Sequence, residues 1–150
     1  MLGKTYSTQN CSAARALELV GERWSLLILR DSLFRGVCTY GDFQKRLGIA
    51  TNILAARLEA FVANGLFKYQ AGKSSSDSGI YLPTEKALEL KHVIMALTEW
   101  GDKWSSTGLG PIDFRHHNCG GHVTLEARCN LCAAKIENSK IDARSRASLR

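Results

Sequence analysis

Residues 40–47 (YGDFQKRL) and 51–64 are two short amphipathic segments separated by three residues, the first of which is Gly48. In the first segment Phe43 and Leu47 stand four apart, one turn of a helix. In the second, Leu54, Leu58, Phe61 and Val62 form the apolar face, and Asn64-Gly65 supplies a C-terminal stop. Two short helices across a glycine-containing turn have the layout of a helix-turn-helix.

The residues after Gly65 narrow the fold further. Residues 66–71 (LFKYQA) alternate apolar and polar side chains as a half-buried strand does, residues 72–79 have loop composition, and residues 80–82 read as a return strand. A β-hairpin directly after a helix-turn-helix is the wing of a winged-helix domain. Upstream, residues 12–20 place Ala13, Ala16, Leu17 and Val20 at helical spacing up to Gly21. Residues 22–34 carry Trp24, Leu27, Ile28 and Leu33, with Leu26 and Leu29 widening the face into that of a central core helix. Downstream, Pro83 opens a long helix predicted to reach residue 106, with Leu88, Val93, Leu97, Trp100 and Trp104 apolar. The expected fold is mainly α with a small β-hairpin wing (α+β), dimerising through its N- and C-terminal helices, plus a small Cys/His-rich C-terminal hairpin. The expected domains are 1–108 for the winged helix-turn-helix and dimerisation, 109–136 for the Cys/His-rich extension, and 137–150 for a polar, basic, disordered tail. No internal repeat of 20 residues or longer is evident.

At 150 residues the chain has room for one domain and a small appendage, and the net charge of +6 favours an anionic partner. Solubility alone also accounts for such a charge. Apolar runs such as residues 26–29 are far short of the roughly 20 residues a bilayer span needs, so a cytoplasmic protein with no membrane partner is expected. Five cysteines, at 11, 38, 119, 129 and 132, are an odd and clustered set. That pattern points to thiols or metal ligation rather than a disulfide framework.

Several ordered motifs carry a resemblance. Cys11 precedes an Ala-rich helix, and Gly21-Glu22-Arg23-Trp24, Leu27-Ile28-Leu29-Arg30, Tyr40-Gly41-Asp42-Phe43, Gly48-Ile49-Ala50-Thr51-Asn52-Ile53-Leu54 and Arg57-Leu58 come after it in order. Over residues 11–104 the chain closely resembles the HxlR family of winged-helix transcriptional regulators. The resemblance implies a homodimer on double-stranded DNA. Ser12 stands where the family often has Pro, and Ala87 where Gly often follows Thr-Glu-Lys; both bear on capping and packing.

The helix starting at Thr51 is the candidate recognition helix. Thr51 and Asn52 at its start either cap backbone N–H groups or contact bases. Ala55 and Ala56 let the helix approach the groove closely, or simply favour helix formation. The resemblance gives Arg57 a positioning role, and Lys45, Arg46 and Lys73 suit phosphate contacts, with a solvated face as the alternative. Cys11, one residue before a helix with Arg15 one turn on, is a candidate redox sensor, because a helix N-terminus and a nearby cation favour thiolate. In the resembled family a cysteine here responds to oxidants or electrophiles; a buried, unreactive thiol is the alternative. Cys38 is assigned to packing.

The C-terminal cluster stands apart. His116 and Cys119 in H-x-x-C spacing, with Cys129 and Cys132 in C-x-x-C spacing, form a candidate structural zinc site, and His117 or His122 are alternatives for the fourth ligand. Residues 123–125 would be the connecting strand. A reduced hairpin or a Cys129–Cys132 redox pair also fits, and no cofactor is required for DNA binding. The competing function is a zinc-ribbon adaptor binding RNA or protein. An enzyme ranks last: there is no Gly-rich phosphate loop, no evident acid pair, and no alternation of strands and helices to support a C-x-x-C oxidoreductase.

Overall fold

The computed structural model describes residues 5–9, 11–73, 78–105 and 110–144. Its elements are α1 (Ser12–Val20), α2 (Ser25–Arg35), α3 (Tyr40–Leu47), α4 (Thr51–Ala63), β1 (Phe67–Gln70), β2 (Ile80–Pro83), α5 (Glu85–Leu88), α6 (Leu90–Trp104) and a 3-10 turn (Asn138–Lys140). The chain divides into two compact units, Met1–Leu97 and Thr98–Arg150, the division falling within α6.

In the first unit the apolar stripes meet in one core. Ile28, Leu29, Phe43, Leu54, Leu58, Phe61, Leu66 and Phe67 are all essentially inaccessible to solvent. Phe67, the first residue of the wing, ties the layers together: its ring stacks on Phe43 at 6.5 Å and meets Phe61 edge-on at 5.3 Å. Val62, expected on the buried face, is exposed. It lies one step, about 100°, round the helix from Phe61, at the margin of the stripe set by Leu54, Leu58 and Phe61.

Helix ends follow local chemistry. Thr39 caps α3, its Oγ1 accepting from the Asp42 N–H at 3.1 Å. Gly48 ends α3 in the left-handed region at φ +60, a conformation that costs side-chain-bearing residues about 1–2 kcal/mol. The sequence places the start of the core helix at residue 22, but Glu22 to Trp24 form a turn, with the Ser25 N–H donating to the Glu22 carbonyl at 2.9 Å, and α2 starts at Ser25.

β1 and β2 pair antiparallel from Phe67↔Pro83 to Gln70↔Ile80. A single bridge joins Thr39 to Ile80, and the Tyr81 N–H donates to the Cys38 carbonyl at 2.7 Å, so the segment before α3 lies along the wing. Cys38 is half-buried there. Pro83 closes the wing instead of opening the long helix. Thr84 fixes that end by donating its hydroxyl to the Gly65 carbonyl at 2.7 Å. The expected helix 83–106 is also interrupted: the Thr84 carbonyl accepts from both Ala87 and Leu88 at 2.9 Å, tightening α5 into one turn before α6 begins. Ala87 is fully buried.

In the second unit residues 123–125, expected as the connecting strand, form no strand. The unit holds two single-residue bridges, Arg115↔His122 and Arg128↔Lys135, each closing a tight turn. Of the tail expected to be disordered, residues 137–144 are described and residues 145–150 lie outside the described residues. No described helix is long and apolar enough to cross a membrane.

Candidate nucleic-acid interface

α4 is anchored at three points on one side, which determines what the other side presents. Leu54, Leu58 and Phe61 are buried, while Thr51, Asn52, Ile53 and Ala56 are exposed. Ala55 and Arg57 are half-buried at the margins. The N-cap is Ala50, in extended conformation and making no side-chain cap, so neither Thr51 nor Asn52 is a capping residue; they are the first two residues of the helix. This leaves the amides of the first turn without a side-chain partner from the cap, an arrangement suited to an anion. The Tyr40 hydroxyl donates to the Thr51 carbonyl at 2.8 Å and fixes the start of α4 to the start of α3.

Ile53 was not singled out by sequence reasoning. It is 41% exposed beside Thr51, Asn52 and Ala56. Its signal lay in the periodicity: it falls one residue ahead of the buried Leu54 and off the 54–58–61 stripe.

The basic residues separate. Lys45 and Lys73 are exposed. Arg46 is exposed as well, but its Nε lies 3.3 Å from Oδ2 of Asp31, whose side chain is only 2% exposed. Arg30 bonds the other oxygen of the same carboxylate at 2.9 Å, and Arg35 lies 3.7 Å away. Arg57 lies at 4.0 Å from Glu22, the outer limit of an ion pair, and so faces the α1–α2 turn. The structure therefore leaves Asn52 and Ala56 opposite the core stripe of α4, Ile53 on its flank and Thr51 exposed at the helix start, with Arg46 and Arg57 engaged by carboxylates within the unit.

Cys11 is itself the N-cap of α1, with its sulfur accepting from the Ala14 N–H at 3.3 Å. It is exposed. Arg15 does not turn toward it; it pairs with Glu18 at 2.7 Å and donates to the Gln9 carbonyl at 3.2 Å. The Tyr6 N–H and then Arg15 hold the Glu18 carboxyl below the usual carboxylate range.

In the second unit His116 Nδ1 and Cys119 Sγ lie 3.1 Å apart. Backbone N–H groups of Cys132 and Leu131, then the Cys132 thiol, pull the Cys129 thiol below its ordinary pKa. Among the described residues no group of three His, Cys, Asp or Glu side chains is placed to hold a metal ion, so the two pairs stand separately. His122 is paired with Asp113 at 2.6 Å.

A helix-turn-helix packed on a two-stranded wing defines a winged helix-turn-helix protein. The model of the HxlR-like helix-turn-helix family matches residues 19–108, and the chain belongs to that family of transcription regulators. The HTH-type transcriptional regulator Rv3095 of Mycobacterium tuberculosis is 41% identical over 126 residues, covering 83% of this chain and 79% of that protein. PA1607, described as a candidate transcription factor, has a solved structure that superposes with a TM-score of 0.80 at 30% identity, covering 93% of this chain and 97% of the other. The reduced form of the transcriptional regulator YodB from B. subtilis superposes with a TM-score of 0.55 at 26% identity over 67% of this chain and 99% of its own.

Proposed function

We propose that the chain is a homodimeric regulator that lays α4 in the major groove of an inverted-repeat operator and releases it when Cys11 is modified. The observation that carries this is the sidedness of α4: buried at Leu54, Leu58 and Phe61, open at Asn52, Ile53 and Ala56, with Thr51 exposed at its start. At about 1.5 Å per residue α4 is roughly 20 Å long, enough to cross a major groove. Thr51 and Asn52 offer hydrogen bonds to base edges, and Ile53 and Ala56 offer methyl groups to thymine. Lys45, from the end of α3, and Lys73, in the wing loop beyond β1, supply phosphate contacts.

α6 supports the dimer. Val93, Leu97, Trp100 and Trp104 recur at four- and three-residue steps and are all exposed, the two tryptophans by 64% and 65%. Leu17 on α1 is also exposed. Exposed large side chains in such a stripe mark an association surface. A two-fold dimer would set its recognition helices roughly 34 Å apart.

Footprinting of selected DNA fragments, followed by binding measured against salt concentration, tests this. The expected result is protection of two half-sites one helical turn apart. Lys45→Ala should lower the slope of log affinity against log salt by about one unit. A flat salt dependence, or a monomer by light scattering at micromolar concentration, would overturn it. A chain lacking residues 111–150 should keep its specific DNA affinity; loss of that affinity would favour the adaptor function.

Cys11 adds a switch. Its sulfur is exposed and also accepts the Ala14 amide, so modification both reaches it readily and removes the cap of α1. Sulfur is a weak acceptor, so losing this cap costs less than the roughly 1 kcal/mol of an oxygen cap, but it falls on a helix we place in the dimer. Diamide should release DNA from the native protein and leave Cys11→Ser bound; an unchanged diamide response in Cys11→Ser would remove Cys11 from the switch.

A further inference from the structure

Residues 113–123 and 126–136 adopt one structure twice, thirteen residues apart. The His116 N–H donates to the Gly121 carbonyl at 2.8 Å, as the Cys129 N–H does to that of Ala134 at 3.0 Å. The Gly120 N–H returns to the His116 carbonyl at 2.8 Å, and the Ala133 N–H to that of Cys129 at 3.0 Å. Val123 donates to Phe114, and Ile136 to Ala127, both at 2.9 Å. The bridges Arg115↔His122 and Arg128↔Lys135 hold the same register.

The side chains repeat as well. Arg115 pairs with Asp113 and donates to the Gly120 carbonyl at 3.0 Å; Arg128 pairs with Glu126 at 2.8 Å and donates to the Ala133 carbonyl at 3.3 Å. His122 lies 2.6 Å from Asp113, and Lys135 2.6 Å from Glu126. Each copy thus has an acid and a base closing the hairpin and an arginine clamping the turn carbonyl. Each turn also needs a left-handed residue: Gly120 at φ +70, and Ala133 at φ +55, the one non-glycine residue with positive φ among those described. Strain of this kind persists where surrounding structure over-determines it and clusters at functional sites.

Such a turn brings residues i and i+3 together. His116 Nδ1 and Cys119 Sγ at 3.1 Å are close to the roughly 3.5 Å that separates N and S on a tetrahedral ion with bonds of about 2.0 and 2.3 Å. Cys129 and Cys132 occupy the same two positions in the second copy. At the first of those positions the two copies share a metal donor, His or Cys, but not a thiol. That is the pattern of ligation and not of disulfide exchange.

We propose that the C-terminal unit is a duplicated metal knuckle, in which His116, Cys119, Cys129 and Cys132 close around one thiophilic, tetrahedral divalent cation of the zinc class. Among the described residues no three donors are placed to share an ion, so binding would draw the two turns together. Each of the three cysteines loses its thiol proton to solvent as its metal–sulfur bond forms. The duplication also assigns the fourth ligand: His122 matches Lys135 and serves Asp113, and His117 matches Asn130, leaving His116.

The site is independent of the DNA surface, so its failure leaves the regulator assignment intact. The test is titration of the full-length, reduced, chelator-washed protein with cobalt(II), then zinc(II). One cobalt per chain should bind, with thiolate charge-transfer and intense tetrahedral ligand-field absorption that zinc abolishes. Cys119→Ser and Cys132→Ser should each weaken binding at least about tenfold, while Cys38→Ser and His117→Ala leave it within about twofold. Far-UV circular dichroism of each variant checks that the helical unit is folded. Absence of the tetrahedral spectrum in the native chain, its survival unchanged in Cys119→Ser, or a loss in His117→Ala equal to that in Cys119→Ser would overturn the assignment.

Discussion

Phe61→Ala should destabilise the winged unit by about 3–5 kcal/mol, the usual cost of deleting a fully buried aromatic side chain. Phe61 is 1% exposed and meets the Phe67 ring edge-on, so its loss leaves a void between α4 and the wing where neither backbone is free to collapse. For a unit of this size the expected fall in Tm is roughly 12 °C or more. Urea unfolding should show a lower midpoint at unchanged slope, the mark of altered stability without altered cooperativity. A loss below about 1 kcal/mol would mean that the three-phenylalanine cluster does not anchor α4.

Asp31→Asn should have the next largest effect. Removing one partner of a buried ion pair costs about 3–5 kcal/mol when the remaining charge is trapped. Here the charges left behind belong to Arg30, Arg35 and Arg46, whose side chains are 25%, 41% and 39% exposed and can be rehydrated. The expected loss is therefore smaller, about 2 kcal/mol. A double-mutant cycle between Asp31 and Arg46 should give a coupling of about 1 kcal/mol, since Arg46 joins α3 to α2 through that carboxylate. Arg46→Ala should accordingly lower stability where Lys45→Ala lowers the salt slope. Zero coupling, with a salt-slope change for Arg46→Ala equal to that for Lys45→Ala, would return Arg46 to the phosphate surface.

Those two neighbouring cations show where the sequence stops being informative. Lys45 and Arg46 stand side by side at the end of one helix, and nothing in the local pattern separates them. Asp31 lies 15 residues away on another helix, and only packing brings its carboxylate to one and not the other. Arg57 is similar: its motif is legible, but Glu22 is brought opposite it by the α1–α2 turn. Ile53 reads as one more apolar residue until Leu54, Leu58 and Phe61 occupy the core side of the helix. The C-terminal duplication was obscured for a chemical reason. Only Arg115/Arg128 and Cys119/Cys132 are identical between the two copies; other positions pair Asp with Glu, His with Cys, Gly with Ala and His with Lys. Its copies are also shorter than the period at which sequence self-similarity becomes conspicuous.

The sequence by itself determined the order of the elements, the helix-turn-helix and wing, the stop at Gly48 and, in the core of α4, Leu54, Leu58 and Phe61 but not the exposed Val62. Hydrophobic period, turn glycines and strand alternation are local properties, written within a few residues of where they act. Only the tertiary structure decided which cations meet a carboxylate, that Ala50 and not Thr51 or Asn52 holds the N-cap position of α4, that Pro83 ends the wing, and that the Cys/His segment forms two matching turns. Each of these depends on a hydrogen bond, an ion pair or a strand register between groups whose positions relative to one another are set by the folded backbone and not by their spacing in the chain.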